Sequence, residues 1–356
     1  MLGHGHKFSD LKEVQDELNS KFLDLAPSNC SNYKKIPIMT AGSDIGSKAL
    51  IDILTEDKIE GLIVQDIKDS SQQGVVLRQA IFESKFSQIQ SEVQIVYRDP
   101  KKHEIPEPLI VSSELCPKKK GKVPIFNFEG ISNEYQEGML AGLFQASNLS
   151  KRPMKVLHLG TGAGVLPSFL LNQLPTAIEK ITTVDINKDM LTVAEKYFGF
   201  HPSEKLESVC ADAYTYVDDL QKTHVGQFDM VIMDINYQEA DTTISPPWKF
   251  LESSFLQKLV NLANQECSFV AVNTIFYSKE DREKVFEEAK KVRNMDLVSY
   301  LEVPDCLNKV IMFSKNKLAI DGMEGITIKI PAGQHTVKLE EVSENIDSWK
   351  QMMGVL

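Results

Sequence analysis

Three glycines at alternate positions, Gly160, Gly162 and Gly164, follow the mostly apolar run Val156-Leu157-His158-Leu159, and three aspartates come after them at wider spacing: Asp185 in "TVDI", Asp212 in "CADA" and Asp234 in "VIMDI". Glycines directly after a buried strand let the backbone approach a ligand closely, and the start of the next helix turns free N–H groups toward it. A dinucleotide pattern, G-x-G-x-x-G, would need a glycine at Val165, but here the third glycine falls one residue early. Asp212 would also set a negative charge near any pyrophosphate. A cationic, adenosine-bearing ligand fits better. Asp185, twenty-one residues after Gly164, can accept hydrogen bonds from both ribose hydroxyls, Asp212 from the adenine amino group, and the glycine turn leaves room for the rest. The set points to S-adenosyl-L-methionine or its decarboxylated relative, with Leu159, Ile186 and Ala213 flanking the contacts.

Each residue also has a plainer reading. Asp185 can cap the helix expected from Lys188, although Asn187 is better placed to do so, and Asp212 can cap the helix that follows it. Asp234 can bind turn amides, and His158, inside a strand, reads as a satisfied core histidine. Five cysteines are scattered without metal-ligand spacing, so neither a metal site nor a disulfide framework is expected. The net charge of −11 disfavours nonspecific nucleic-acid binding and suits a cationic partner. The basic cluster "KKKGK" lies among prolines without interleaved aromatics and reads as solvated chain. No run approaches the ~20 apolar residues of a membrane span, and the first residues lack the apolar core of a signal peptide. A cytoplasmic protein without membrane or nucleic-acid partners is the expectation.

Positioning such residues along one rim requires alternating strands and helices. The periodicity predicts strands over 155–159, 180–186, 206–211, 228–235 and 267–275, each followed by a helix: 165–174, 188–198, 213–221, 252–264 and 279–292. "DLVSYLEV" and "NKVIMFSKN" close the series as a hairpin. The fold class is therefore α/β: a Rossmann-like, seven-stranded sheet, parallel except for the final hairpin, whose ligands bind beyond the carboxyl ends of the strands. Upstream, an amphipathic helix over 10–26 and strands in "KIPIMTAG", "EGLIVQDI", "GVVLRQAIF" and "EVQIVYRD" suggest a small β-rich region. The expected organisation is a β-rich region over 1–112, a linker over 113–130, the catalytic domain over 131–316 and an extension over 317–356. In that extension "ITIKIPAGQHTVKLEEV" would add strands and "NIDSWKQMMGVL" a closing helix. Tyr135, Met139, Leu140, Leu143 and Phe144 predict a further helix packed on the domain.

"VLHLGTGAG", "TVDINKDMLTVAEKYFGF", "CADA", "FDMVIMDI", "SPPWKFLESSFLQKL" and the upstream "YQEGMLAGL" together resemble a class I S-adenosylmethionine methyltransferase of the spermidine-synthase-like branch. The chain resembles more closely still the C-terminal half of the methyltransferase-like protein thirteen family, the dual methyltransferases of translation elongation factor one-alpha. "YFGF" and the "SPP" loop are more distinctive than the glycines. The resemblance spans about residues 30–316 and implies methylation of that factor's N-terminal α-amino group, since residues before 150 hold no second glycine motif. The chemistry of amine methylation itself gives Asp234, with the Asn236 carbonyl, the role of orienting the incoming amine and helping its proton leave, Tyr237 and Trp248 that of walling a peptide channel, and Glu137 that of facing the methionine end of the cofactor. Simple packing is the equal alternative for Trp248, and a solvated helix position for Glu137. The family reads Asp-x-Asp where this chain has Asp234-Ile235-Asn236, and an amide cannot act as a carboxylate base. Relatives of this branch often pair, so the resemblance leaves room for a homodimer. Aminopropyl transfer, as in spermidine synthases, is an alternative, but the second acidic position of their loop is Tyr237 here. A noncatalytic scaffold is the other alternative, opposed by the intact glycines, Asp185 and Asp212.

Overall fold

The structure, a computed structural model, describes most of residues 48–140 and 152–314, together with 337–338 and 353–355. The chain divides into two compact units, residues 1–48 and 49–356, and apart from Lys48 everything described lies in the second. The helix expected over 10–26 and the strand in "KIPIMTAG" lie outside the described residues.

Two sheets carry the fold. The first has five strands, β1 (Lys48–Leu54), β2 (Leu62–Lys68), β3 (Val76–Phe82), β4 (Ile89–Arg98) and β5 (Val123–Phe126), in sequential order, with antiparallel pairing from β2 through β5. "EGLIVQDI", "GVVLRQAIF" and "EVQIVYRD" supply three of these strands as expected. The reading missed β1 and also β5, which falls in the stretch taken as a linker. Its four residues sit among lysines and prolines that mask a short strand. A short β6 (Gly130–Ile131) follows, and residues 135–136 and 138–140 are helical.

From β7 (Met154–Leu159) onward the alternation is as read: α1 (Val165–Gln173), β8 (Ile178–Asp185), α2 (Lys188–Tyr197), β9 (Leu206–Cys210), α3 (Ala213–Leu220), β10 (Met230–Met233), β11 (Ile244–Ser245), α4 (Ser253–Leu262), β12 (Phe269–Phe276), α5 (Lys279–Lys290), β13 (Leu297–Glu302) and β14 (Asn308–Ser314). Strands β12, β10, β7, β8 and β9 run parallel in that spatial order, and β14 and β13 continue the sheet antiparallel beyond β12. All seven expected strands are present. The sheet gains two more, the short β11 on β12 and, at the far edge, β16 (Met353–Val355) on β13. That edge strand stands within the segment expected to be a closing helix, while β15 (Val337–Lys338) pairs with β6. Among the described residues no helix is long and apolar enough to cross a membrane.

Strand alternation sends β7 residues to opposite faces. Met154 and Val156 join Leu166 and Phe169 in one core, while Leu157 and Leu159 join Phe255 and Leu256 in the other. The two sheets meet at α2 and the "YFGF" that ends it. Leu62 and Val64 of β2 pack with Val193 and Tyr197 of α2. Gly199, at φ 67°, breaks the helix in a left-handed turn that an added Cβ would jam against Phe126, and it delivers Phe200 to the core. Arg78 of β3 is fully buried: it grips Asp66 with two hydrogen bonds, of 2.8 and 3.0 Å, and donates to the carbonyl of Tyr197 at 3.0 Å. The distinctive motif is therefore the seam between the sheets.

Candidate functional site

Strand order reverses beside β7, whose next strand, β8, lies on one side and β10 on the other. Backbone and side chains diverge at such a reversal and leave a crevice. A cavity of about 390 Å³ opens there, lined by Gly160, Thr161, Gly162, Asp185, Asp212 and Asp234 among others.

The glycines answer to close approach. A Cβ on Gly160, which has φ 90°, would stand 2.2 Å from the carbonyl oxygen of Asp234, so β7 and β10 can run this close only without a side chain there. Gly164, at φ 71°, begins α1 and lies flat against the ring of Phe200, where a Cβ would be 2.2 Å from Cδ2. It therefore shapes the turn from behind. The turn is also braced from the first sheet, because Ser91 of β4 accepts the Ala163 N–H at 2.8 Å.

Asp185 ends β8 with its carboxylate held by the N–H groups of Gly162 (3.0 Å) and Asn187 (2.9 Å). Asn187 is the residue that caps α2, accepting from the Met190 N–H at 2.8 Å, which leaves Asp185 to the cavity. Burial outweighs the backbone donors and pushes the Asp185 carboxyl up to about 6. Asp212 does cap α3, accepting from the Tyr214 N–H at 2.6 Å, and still lines the cavity, 3.7 Å from the ammonium of Lys249. Asp234, just past β10, takes hydrogen bonds from Tyr135 Oη (3.1 Å), Gln136 Nε2 (3.4 Å) and Asn273 Nδ2 (2.8 Å). Desolvation outweighs these three donors and raises its carboxyl above the ordinary range. Asn236 donates to Gln90 Oε1 at 3.4 Å, and Tyr237 stands half exposed at the rim.

Ile186, Ala213, Asp234, Asn236 and Tyr237 line the cavity. Leu159 does not: alternation turns its side chain into the second core, and its contribution is a carbonyl that accepts the Asp234 N–H. Trp248 also lies away from the cavity lining, packed against the same core with the Lys284 ammonium 3.8 Å above its ring. Glu137 lies outside the described residues. Sequence reading missed Gln90, Ser91 and Glu92 of β4, which form one wall from more than sixty residues upstream. Asn273 announced itself more clearly, as an amide interrupting the apolar strand "FVAVNTIF". His158 is buried as expected but is not satisfied, since neither ring nitrogen has a hydrogen-bond partner.

Fold and site together define a doubly wound α/β protein with a cavity where the strand order reverses. Residues 134–322, more than half of the chain, match the spermine/spermidine synthase domain, and the chain belongs to that family. It is similar to the eEF1A lysine and N-terminal methyltransferase of Xenopus laevis, 25% identical over 329 residues that cover 88% of this chain and 45% of that protein. A homolog of that methyltransferase in Drosophila pseudoobscura pseudoobscura is 30% identical over 255 residues, 70% of this chain and 34% of its own. The chain spans less than half the length of these curated relatives. Among solved structures, a probable spermidine synthase from Corynebacterium glutamicum shares the fold, with a TM-score of 0.52 at 12% identity over 85% of this chain and 94% of that one.

Proposed function

We propose that this chain is an S-adenosyl-L-methionine-dependent protein N-methyltransferase whose acceptor is the N-terminal α-amino group of translation elongation factor one-alpha. The observation that carries the reading is the convergence of Asp185, Asp212 and Asp234 on one cavity beside the glycine turn. The donor set suits an adenosine bearing a positive charge. Asp185, already accepting two backbone N–H groups, has acceptor capacity left for ribose hydroxyls. Asp212 offers an oxygen to the adenine amino group, while Ile186 and Ala213 flank the base. Relatives that carry the name eEF1A lysine and N-terminal methyltransferase support the protein acceptor. When bound, the cofactor supplies an activated methyl group on a sulfonium, a leaving group that needs no further activation.

What remains for the protein is mainly to present a neutral amine in the right direction. An α-amine with a pKa near ~7.7–8.0 is partly uncharged at neutral pH, so a strong base is unnecessary. Asp234 is fixed by its three donors, which leaves it as an orienting acceptor for the incoming amine and for the proton it loses. Asn236 adds a carbonyl acceptor and takes no proton. Tyr237 stands at the rim where a peptide enters.

The test is transfer of labelled methyl to a peptide with the elongation factor's N-terminal sequence and to the same peptide acetylated at its α-amine. Transfer that acetylation abolishes, and that Asp234→Ala abolishes while cofactor binding persists, supports the reading. Membership of the spermine/spermidine synthase domain family favours a second reading, aminopropyl transfer from the decarboxylated cofactor. Product formation from a diamine in place of the peptide would establish it.

A further inference from the structure

His158 is the penultimate residue of the strand that leads into the glycine turn, is 2% exposed, and lines the cavity with both ring nitrogens unpartnered. Three residues on, Thr161 is 4% exposed and lines the same cavity, and its hydroxyl has no partner either. Unmet polar atoms in a protein interior are costly, and a leucine at position 158 would fill similar space without that cost. Alternation along β7 places His158 on the face shared with Met154 and Val156, the side on which Tyr135 packs. Tyr135 and Gln136 also line the cavity and hold Asp234. Desolvation pushes the imidazole down to about 4, so it is neutral at physiological pH, with one N–H donor and one acceptor nitrogen.

The remaining lining narrows what these two groups can meet. Among the described residues of the cavity wall Lys249 is the one standing cation, and it lies 3.7 Å from Asp212. Asp185 and Asp212 are assigned to ribose and adenine in the reading above, on which this inference rests. The polar remainder of the cofactor is its amino-acid tail, an ammonium and a carboxylate. A carboxylate needs donors, and an unpaired imidazole N–H and an unpaired hydroxyl supply two.

We propose that His158 and Thr161 recognise the carboxylate of the cofactor's amino-acid tail and thereby select S-adenosylmethionine over its decarboxylated relative. The pair would decide which form of the cofactor is admitted, and so whether an aminopropyl group is available for transfer. With the decarboxylated form the two donors stay buried and unmet, which is a penalty against the wrong ligand.

The experiment is calorimetric titration of the full chain with S-adenosylmethionine and, separately, with decarboxylated S-adenosylmethionine, two ligands that differ in the carboxylate. The unmodified protein should prefer the former about 10- to 100-fold, the range expected for hydrogen bonds to a charged group. His158→Leu should remove most of that preference by weakening S-adenosylmethionine while leaving the decarboxylated form unchanged, and His158→Asn, which keeps an N–H donor, should restore part of it. Thr161→Val, close in shape, should reduce the preference by a smaller factor and provides the test if His158→Leu does not fold. Equal weakening of both ligands, or an unchanged preference, would overturn the inference and leave the cofactor reading standing. Failure of the unmodified protein to bind either ligand would overturn both.

Discussion

Asp185 makes its own pH-dependent signature. Its carboxyl is raised to about 6 by burial, against an ordinary value of 3.8. The folded chain therefore holds this proton more tightly than the unfolded one. The stabilisation from that uptake is fully present below pH 3.8 and is lost as pH rises through about 6. Ligand binding runs the other way, because an ionised carboxylate is the better acceptor for two ribose hydroxyls. Affinity for S-adenosylhomocysteine should rise through pH 6, with a fall of up to about tenfold per pH unit below it. Asp185→Asn should flatten this profile and lower affinity at pH 8 by about 10- to 100-fold, as loss of charge-assisted bonds implies. Calorimetry at pH 5, 6, 7 and 8 checks both. An unchanged profile in the variant would show that another group sets the pH dependence. Asp234 is raised by burial as well, but its three side-chain donors oppose that rise, so removing them should act on transfer more than on binding. Asn273→Leu deletes the shortest of them without emptying the site. The expectation is a fall in kcat of about tenfold or more with little change in cofactor Kd, measured in the peptide assay.

The turn between β7 and α1 shows why the glycine pattern could be read and its purpose only partly. Alternation of apolar strands with amphipathic helices made the elements legible to within a few residues, and strand ends then placed Asp185, Asp212 and Asp234 on one rim. What periodicity does not encode is which neighbour presses on each glycine. Gly164 looks like a ligand contact in sequence but is pressed by Phe200, which a left-handed turn at Gly199 brings back from the end of α2. The same limit hid the wall formed by Gln90, Ser91 and Glu92, whose polar character in a strand start carries no mark of a partner across the chain. Gly164→Ala should cost about 1–2 kcal/mol for the left-handed backbone alone, with the clash added to it. A Phe200→Ala background removes the two ring atoms at 2.2 and 2.6 Å and keeps only the Cβ at 2.9 Å, so most of the clash should go and the cost of Gly164→Ala should shrink toward the backbone value. A double-mutant cycle by urea denaturation measures this, and strict additivity would separate the two residues.

At the scale of the whole molecule, the first sheet is part of the site and not an appendage to it. Ser91 braces the glycine turn and Gln90 meets Asn236, so the cavity wall depends on how the five strands seat on α2. That seating runs through Arg78. Its guanidinium is 0% exposed, is paired with an equally buried Asp66, and reaches the Tyr197 carbonyl at the end of α2. Burying two charges is expensive, and their attraction roughly offsets it only while both remain. Arg78→Met should therefore cost about 3–5 kcal/mol, because it strands the Asp66 carboxylate and frees the Tyr197 carbonyl. Adding Asp66→Leu should recover much of that loss, since an apolar pair of similar volume removes the stranded charge. Recovery of stability need not recover the site. With no guanidinium to hold the Tyr197 carbonyl, the sheet keeps its packing but loses a directional tie to the helix that leads away from Asp185. The double variant should therefore unfold near the unmodified midpoint in urea yet bind S-adenosylhomocysteine several-fold more weakly. Unmodified affinity at unmodified stability would mean that apolar packing of Leu62 and Val64 on α2 seats the sheet without help from the ion pair.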